Sequence, residues 1–165
     1  MKNIIEILAP NAAIQNAISP LIGKSCCRQK VGEMRSLSMG FGAKVPHGTS
    51  NLSSDFYGEW EIGTYTAAWR VVNGGSILCG SDDSGATDEE LDMRLNKIGF
   101  GNLTAINIIM PFDIRVMFDS GIYVEFLVCT AENDEIFHVF GPQDLYIEWS
   151  VQNGWKIGKS NTPWE

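Results

Sequence analysis

The sequence predicts an α+β fold, mainly antiparallel sheet with two short helices. Three observations lead there. From residue 36 onward most of the chain alternates apolar and polar residues in strand-sized runs. Hairpin punctuation separates several of these runs: Asn73-Gly74-Gly75, Asp119-Ser120-Gly121 and Asn153-Gly154. Only two stretches repeat their apolar residues at helical spacing.

The first of these, residues 10–22, places Ile14, Ile18, Leu21 and Ile22 on one helical face, with Asn11 or Pro10 near the start. Pro20 ends or restarts this helix, because it lacks an N–H and its ring clashes with the preceding turn. After Gly23 the period changes to two. Leu37, Met39 and Phe41 alternate with Ser36, Ser38 and Gly40, a half-buried strand. Residues 47–55, behind Pro46, read as a polar loop. Strands follow at 59–66 and 68–72, and the Asn73-Gly74-Gly75 turn leads into another at 76–80. The second helix covers 88–98, where Leu91, Leu95 and Ile98 fall at i, i+4 and i+7. Thr87 and Glu90 form a capping box at its start, and Gly99 is its stop. Strands at 103–110, 113–118, 122–128, 135–140, 145–151 and 155–158 complete the chain.

An internal echo runs through this order. Each half holds a helix ending in Ile-Gly, then strands, then an aromatic-led pair of later strands. Trp60-Glu61-Ile62 and Trp69-Arg70-Val71 in the first half match Tyr123-Val124-Glu125 and Phe137-His138-Val139 in the second. One domain over residues 1–165 is expected, and a duplicated helix-plus-strands unit, roughly 10–82 and 86–150, would account for the echo.

Composition narrows the class. The chain is 44% hydrophobic and 19% charged, too apolar for a disordered segment. Twelve Lys and Arg face twenty Asp and Glu, a formal charge of -8, which argues against a nucleic-acid-binding surface. Glu6 and Pro10 interrupt the apolar residues Ile4, Ile5, Ile7 and Leu8, so no secretory signal is expected. No window approaches a membrane span of roughly 18 apolar residues. Cys26, Cys27, Cys79 and Cys129 lack CxxC spacing and read as small buried thiols in a reducing cytosol, with Cys129 in the core rather than acting as a thiolate. A cytoplasmic protein is expected.

The charge is unevenly distributed. Residues 1–50 hold six bases and two acids, whereas residues 51–165 hold six bases and eighteen acids. Protein dimensions exceed the Debye length, about 8 Å at physiological salt, so a partner is steered by local patches rather than by net charge. Asp82, Asp83, Asp88, Glu89, Glu90 and Asp92 form the densest patch. Capping and the helix dipole explain Asp88, Glu89 and Glu90. A calcium loop begun at Asp82 fails, because its sixth place needs Gly and finds Thr87, and its last needs Glu and finds Met93. Asp82, Asp83 and Asp92, with a second cluster of Glu132, Asp134 and Glu135, are therefore the candidate partner-binding residues.

Catalytic signatures are missing from the sequence. There is no G-x-S-x-G elbow, no G-x-G-x-x-G and no Walker loop, and His47 and His138 stand beside no evident nucleophile. No metal, cofactor or enzymatic activity is expected. Of five tryptophans, Trp60 and Trp69 fit strand interiors, Trp149 lies in the 145–151 strand, and Trp155 and Trp164 near the C-terminus either pack on the sheet or anchor an interface.

Trp69-Arg70-Val71 followed by Gly80-Ser81-Asp82 and a helix, then Phe112-Asp113-Ile114-Arg115-Val116-Met117-Phe118 and Gly121-Ile122-Tyr123-Val124, give a pattern covering roughly residues 60–150. With its length and acidity, the chain resembles small cytosolic immunity proteins of bacterial polymorphic-toxin systems, including contact-dependent growth inhibition. The resemblance implies binding and neutralisation of one cognate toxin domain, usually a nuclease, with no cofactor, no nucleic acid and no membrane. Such proteins differ widely in fold, so no family residue transfers to this chain. Two other functions use the same features: an accessory or structural interaction module without a toxin, and a small hydrolase built on a carboxylate pair.

Overall fold

Alternating apolar residues give each strand one buried face, and strands of this kind need a second apolar layer to cover them. In the computed structural model, which describes residues 7–8, 10–48, 56–109 and 111–162, that layer is a second sheet. Among the described residues, twelve strands form two six-stranded antiparallel sheets. They are β1 (Ile7–Leu8), β2 (Cys26–Val31), β3 (Leu37–Pro46), β4 (Phe56–Thr64), β5 (Ala68–Asn73), β6 (Ser76–Gly80), β7 (Leu103–Ile109), β8 (Asp113–Phe118), β9 (Ile122–Leu127), β10 (Glu135–Gly141), β11 (Leu145–Ser150) and β12 (Gly154–Lys159). The helices are α1 (Ala12–Ile18) and α2 (Asp88–Asn96). This is the mostly-sheet α+β class that the alternation predicts.

The first sheet runs β1-β7-β8-β9-β5-β6 and the second β12-β11-β10-β4-β3-β2. Each half of the chain therefore contributes a helix and a three-strand meander, β2-β3-β4 or β7-β8-β9. Its following hairpin then leaves for the opposite sheet. β5 pairs with β9 through Val71 and Val124, and β10 pairs with β4 through Val139 and Ile62. In this arrangement Trp69 and Phe137 occupy matching places. Trp60 matches Ile122 rather than Tyr123, one residue from the echo in the sequence, and one residue in a strand reverses the face. The segments entering β2 and β7 also pair with each other, through Gly23 N–H to Leu103 O (2.7 Å) and Cys26 N–H to Gly101 O (2.9 Å).

Between the sheets lies one contiguous apolar cluster. Phe41 of β3 stacks on Phe118 of β8, and Phe126 of β9 meets Phe137 of β10 edge-on with centroids 5.0 Å apart. Because each meander's cover comes partly from the other half's hairpin, neither half closes this core alone.

Both helices are shorter than their periodicity suggests. α1 starts where Asn11 accepts the Ile14 N–H and stops at Ile18, before Pro20. α2 begins with the expected capping box of Thr87 and Glu90 and ends at Asn96. β2 was not legible as a strand: Cys-Cys-Arg-Gln-Lys-Val has no apolar alternation, and its residues are half-buried except Val31. Its charges find partners across the sheet and on α2, where Lys30 Nζ lies 2.9 Å from Asp92. Much of the expected loop 47–55 and the strand end at Met110 lie outside the described residues.

Candidate functional site

The outer face of the second sheet carries a cavity of about 300 Å³. Strand register builds its floor: Ser38 of β3 pairs with Gly63 of β4, which pairs with His138 of β10. Gly63 between them has no room for a side chain, since a Cβ there would collide with the Leu37 carbonyl. Two residues along, Glu61 lies opposite Gly40 on one side and Phe140 on the other. Tyr57 and Tyr65 stand at the rim, both exposed.

Glu61 is held by three donors. Gly58 N–H donates to Oε1 at 2.7 Å, while Ser38 Oγ and Arg28 Nη1 reach Oε2 at 3.0 and 3.2 Å. Arg28 also donates to Ser38 Oγ at 2.8 Å, so the serine hydroxyl accepts from the guanidinium and donates to the carboxylate. Burial nevertheless pushes the Glu61 carboxyl above its usual range, against the pull of Gly58 N–H, Arg28 and Ser38. His138, itself buried, places Nδ1 2.6 Å from Glu135 Oε1. A neutral ring then carries its proton on Nδ1 and presents Nε2 as an acceptor. The imidazole is stacked between Tyr65 and Phe140, with centroids 4.6 and 5.0 Å away.

The six acids expected to bind a partner divide. Asp92 is engaged within the chain: Oδ2 pairs with Lys30 and Oδ1 accepts the Val31 N–H at 2.7 Å, which ties α2 to β2. Glu135 is engaged by His138 and by Tyr65 N–H. Both carboxylates complete internal polar contacts. Asp82, Glu132 and Asp134 are exposed, and Asp83 is half-buried, accepting from Gly80 N–H with Arg94 3.8 Å away.

The fold brings Asp82, Asp83 and Asp134 to one seam. Ala68 of β5 pairs with Leu127 of β9, and two shallow hollows share this pair. One is lined by Ile77, Ser81, Asp82 and Asp83, the other by Thr66, Thr130 and Asp134. The cavity on the second sheet lies next along the chain, through Thr64 and Tyr65. Ile77 and Leu78 of the edge strand β6 are exposed.

One arginine organises the acidic loop. Arg35 donates to Ser81 O (2.8 Å), Asp83 O (2.9 Å) and Ala86 O (2.6 Å), and its Nε lies 3.1 Å from Asp88 Oδ1. It sits in a 3-10 turn, Glu33–Arg35, where Met34 and Arg35 both adopt positive φ (53° and 59°). Non-glycine residues in this region cost roughly 1–3 kcal/mol each, so surrounding contacts must hold them there. The turn leaves Met34 92% exposed beside the loop. Arg35→Ala is expected to raise amide hydrogen exchange across residues 81–86 while the protein stays folded; unchanged exchange there would show that the loop holds itself.

Other residues fall as follows. Cys129 is exposed, contrary to its expected place in the core, because β9 ends at Leu127 and the chain turns outward. Cys79 is buried, and burial pushes its thiol up to about 11 and that of Cys26 to about 12. Trp60 and Trp69 are buried as expected; Trp155 packs on Phe137 and Trp149, and Trp164 lies outside the described residues. Among the described residues no group of His, Cys, Asp and Glu is arranged to hold a metal, and no helix is long and apolar enough to cross a membrane. Arg28, Ser38, Glu61 and His138 were not singled out as a site from the sequence, since they lie on four strands up to 110 positions apart. Comparison with protein-family models, curated proteins and solved structures finds no match to this chain.

Proposed function

We propose that this chain is a cytoplasmic immunity-type protein that binds and neutralises a basic toxin domain, a nuclease, by docking. One observation carries the reading: acids some 50 positions apart flank the Ala68–Leu127 pair, with Asp82 and Asp83 on one side and Asp134 on the other. Exposed Ile77 supplies an apolar contact inside the acidic rim. An apolar centre within a charged border is the usual anatomy of a protein interface. The acids would speed encounter and occupy the path of the nucleic acid, and the apolar contacts would slow release.

The test is co-expression with the product of the reading frame immediately upstream, followed by association kinetics. Asp82→Lys, Glu132→Lys and Asp134→Lys together should lower the association rate at least tenfold at low salt and flatten its salt dependence, with folding intact. These positions are exposed, so the variant removes field rather than packing. Neutralisation and salt dependence that survive the triple reversal would overturn the docking face.

A second reading, the small hydrolase, draws on the Glu135–His138 pair within a cavity, a base held by an orienting carboxylate. Two features weigh against it. Glu61 is tied by three donors, and among the described residues no serine or threonine hydroxyl is hydrogen-bonded to the imidazole. Ester or phosphoester turnover that disappears in His138→Ala would favour it instead.

A further inference from the structure

We infer that the cavity on the second sheet is a receptor for an arginine side chain of the protein partner. This rests on the docking reading and adds an anchor to it.

The hydrogen-bonding inventory points to an N–H-rich guest. With Nδ1 facing Glu135, the imidazole of His138 in its neutral form offers an acceptor at Nε2. Glu61 Oε1 accepts only the Gly58 N–H and keeps a second lone pair. The hydroxyls of Ser36 and Tyr65 can rotate to serve either role, so the fixed open positions are acceptors. A carboxylate or phosphate guest would meet these acceptors and be repelled. A guanidinium brings five donors in one plane.

Charge and shape agree. Among the described residues beside the cavity, two carboxylates, Glu61 and Glu135, face one guanidinium, Arg28. The aromatic side chains Tyr57, Tyr65 and Phe140 line the walls, and a planar guanidinium stacks on such faces better than a compact ammonium. Arg28 already lies 5.6 Å from the Tyr57 ring centroid, one instance of that contact in this neighbourhood. The volume, about 300 Å³, suits one side chain and stands at the small end of ligand pockets. The cavity also adjoins the acidic seam through Thr64, Tyr65 and Thr66, so a basic partner drawn to Asp82 and Asp134 arrives beside it.

The experiment titrates the whole protein with N-acetyl-arginine methylamide, the matching lysine compound and free arginine, read by NMR. The blocked arginine should bind saturably in the millimolar range, with shifts centred on Tyr57, Glu61, Tyr65 and His138. It should bind at least fivefold tighter than the lysine compound. Glu61→Gln and Tyr65→Ala should each weaken it about tenfold; Tyr65 is exposed, so that variant remains informative if removal of the Glu61 charge disturbs the sheet. Absence of saturable binding, equal binding of lysine, or indifference to both variants overturns the assignment. Tighter binding of free arginine also overturns it, because the guest would then be a free amino acid. None of these results alters the outcome of reversing Asp82, Glu132 and Asp134, so the two ideas fail separately.

Discussion

Glu125→Ala is expected to lower stability by roughly 3–5 kcal/mol, the cost of leaving a buried charge without its partner. Glu125 is only 3% exposed on the outer face of the first sheet. Strand register sets it between Arg70 of β5 and Arg115 of β8. Arg70 Nε lies 2.5 Å from one carboxylate oxygen, and Arg115 approaches the other through Nη2 at 2.6 Å and Nε at 3.1 Å. Arg115 is itself mostly buried beneath Tyr123, whose ring centroid lies 4.4 Å from its guanidinium carbon. Removing the carboxylate strands that charge in a poorly solvated place. The melting temperature should fall by roughly 10 °C for a chain of this size. Arg70→Ala should cost far less, because its side chain is 43% exposed and water replaces the lost partner. A Glu125→Ala protein that melts within two degrees of the parent would refute the account.

Trp69→Ala should cost a similar amount, roughly 3–5 kcal/mol, through the cavity it leaves between the sheets. Trp69 is 1% exposed and belongs to the central apolar cluster. The residue also joins core to surface. Its Nε1–H donates to Arg35 O at 2.8 Å, and its backbone is bracketed by Ser81, whose Oγ accepts the Trp69 N–H while Ser81 N–H donates to Trp69 O. The strained turn that presents Met34 is therefore tied to this indole, and the loop bearing Asp82 and Asp83 to the Trp69 backbone and, through Arg35, to the same turn. Trp69→Phe separates the two roles. It keeps most of the apolar volume and loses the bond to Arg35, worth roughly 1 kcal/mol. Hydrogen exchange should rise across residues 81–86 more than in β9. Equal protection of that loop in Trp69→Phe and the parent would show that the indole only fills space.

Local features of the chain were legible before the fold was known. Alternation placed most strands, Thr87 and Glu90 marked the start of α2, and Gly74, at φ +60°, makes the turn between β5 and β6. Each depends on residues a few positions apart. β2 escaped for the same reason, since Arg28 and Lys30 are stabilised by Glu61 and Asp92, more than thirty positions away. Exposure of three of the expected acids was read in the same way. Asp82, Glu132 and Asp134 are exposed on polar loops, as their sequence neighbours suggested. Asp92 and Glu135 look no different in sequence, yet each accepts an N–H from outside its own element, Val31 for Asp92 and Tyr65 for Glu135.

The amino-acid order alone therefore determined the α+β class, most element positions, the lack of catalytic motifs and the concentration of negative charge after residue 50. Only the tertiary structure decided that each half's hairpin joins the other half's sheet, that Asp82, Asp83 and Asp134 share the Ala68–Leu127 seam, and that His138, Glu61 and Ser38 surround a cavity. The physical reason is range. Periodicity and capping are set by neighbours along the chain, whereas strand partners are chosen by burial of both faces of the core at once. That choice also fixes which distant polar groups meet.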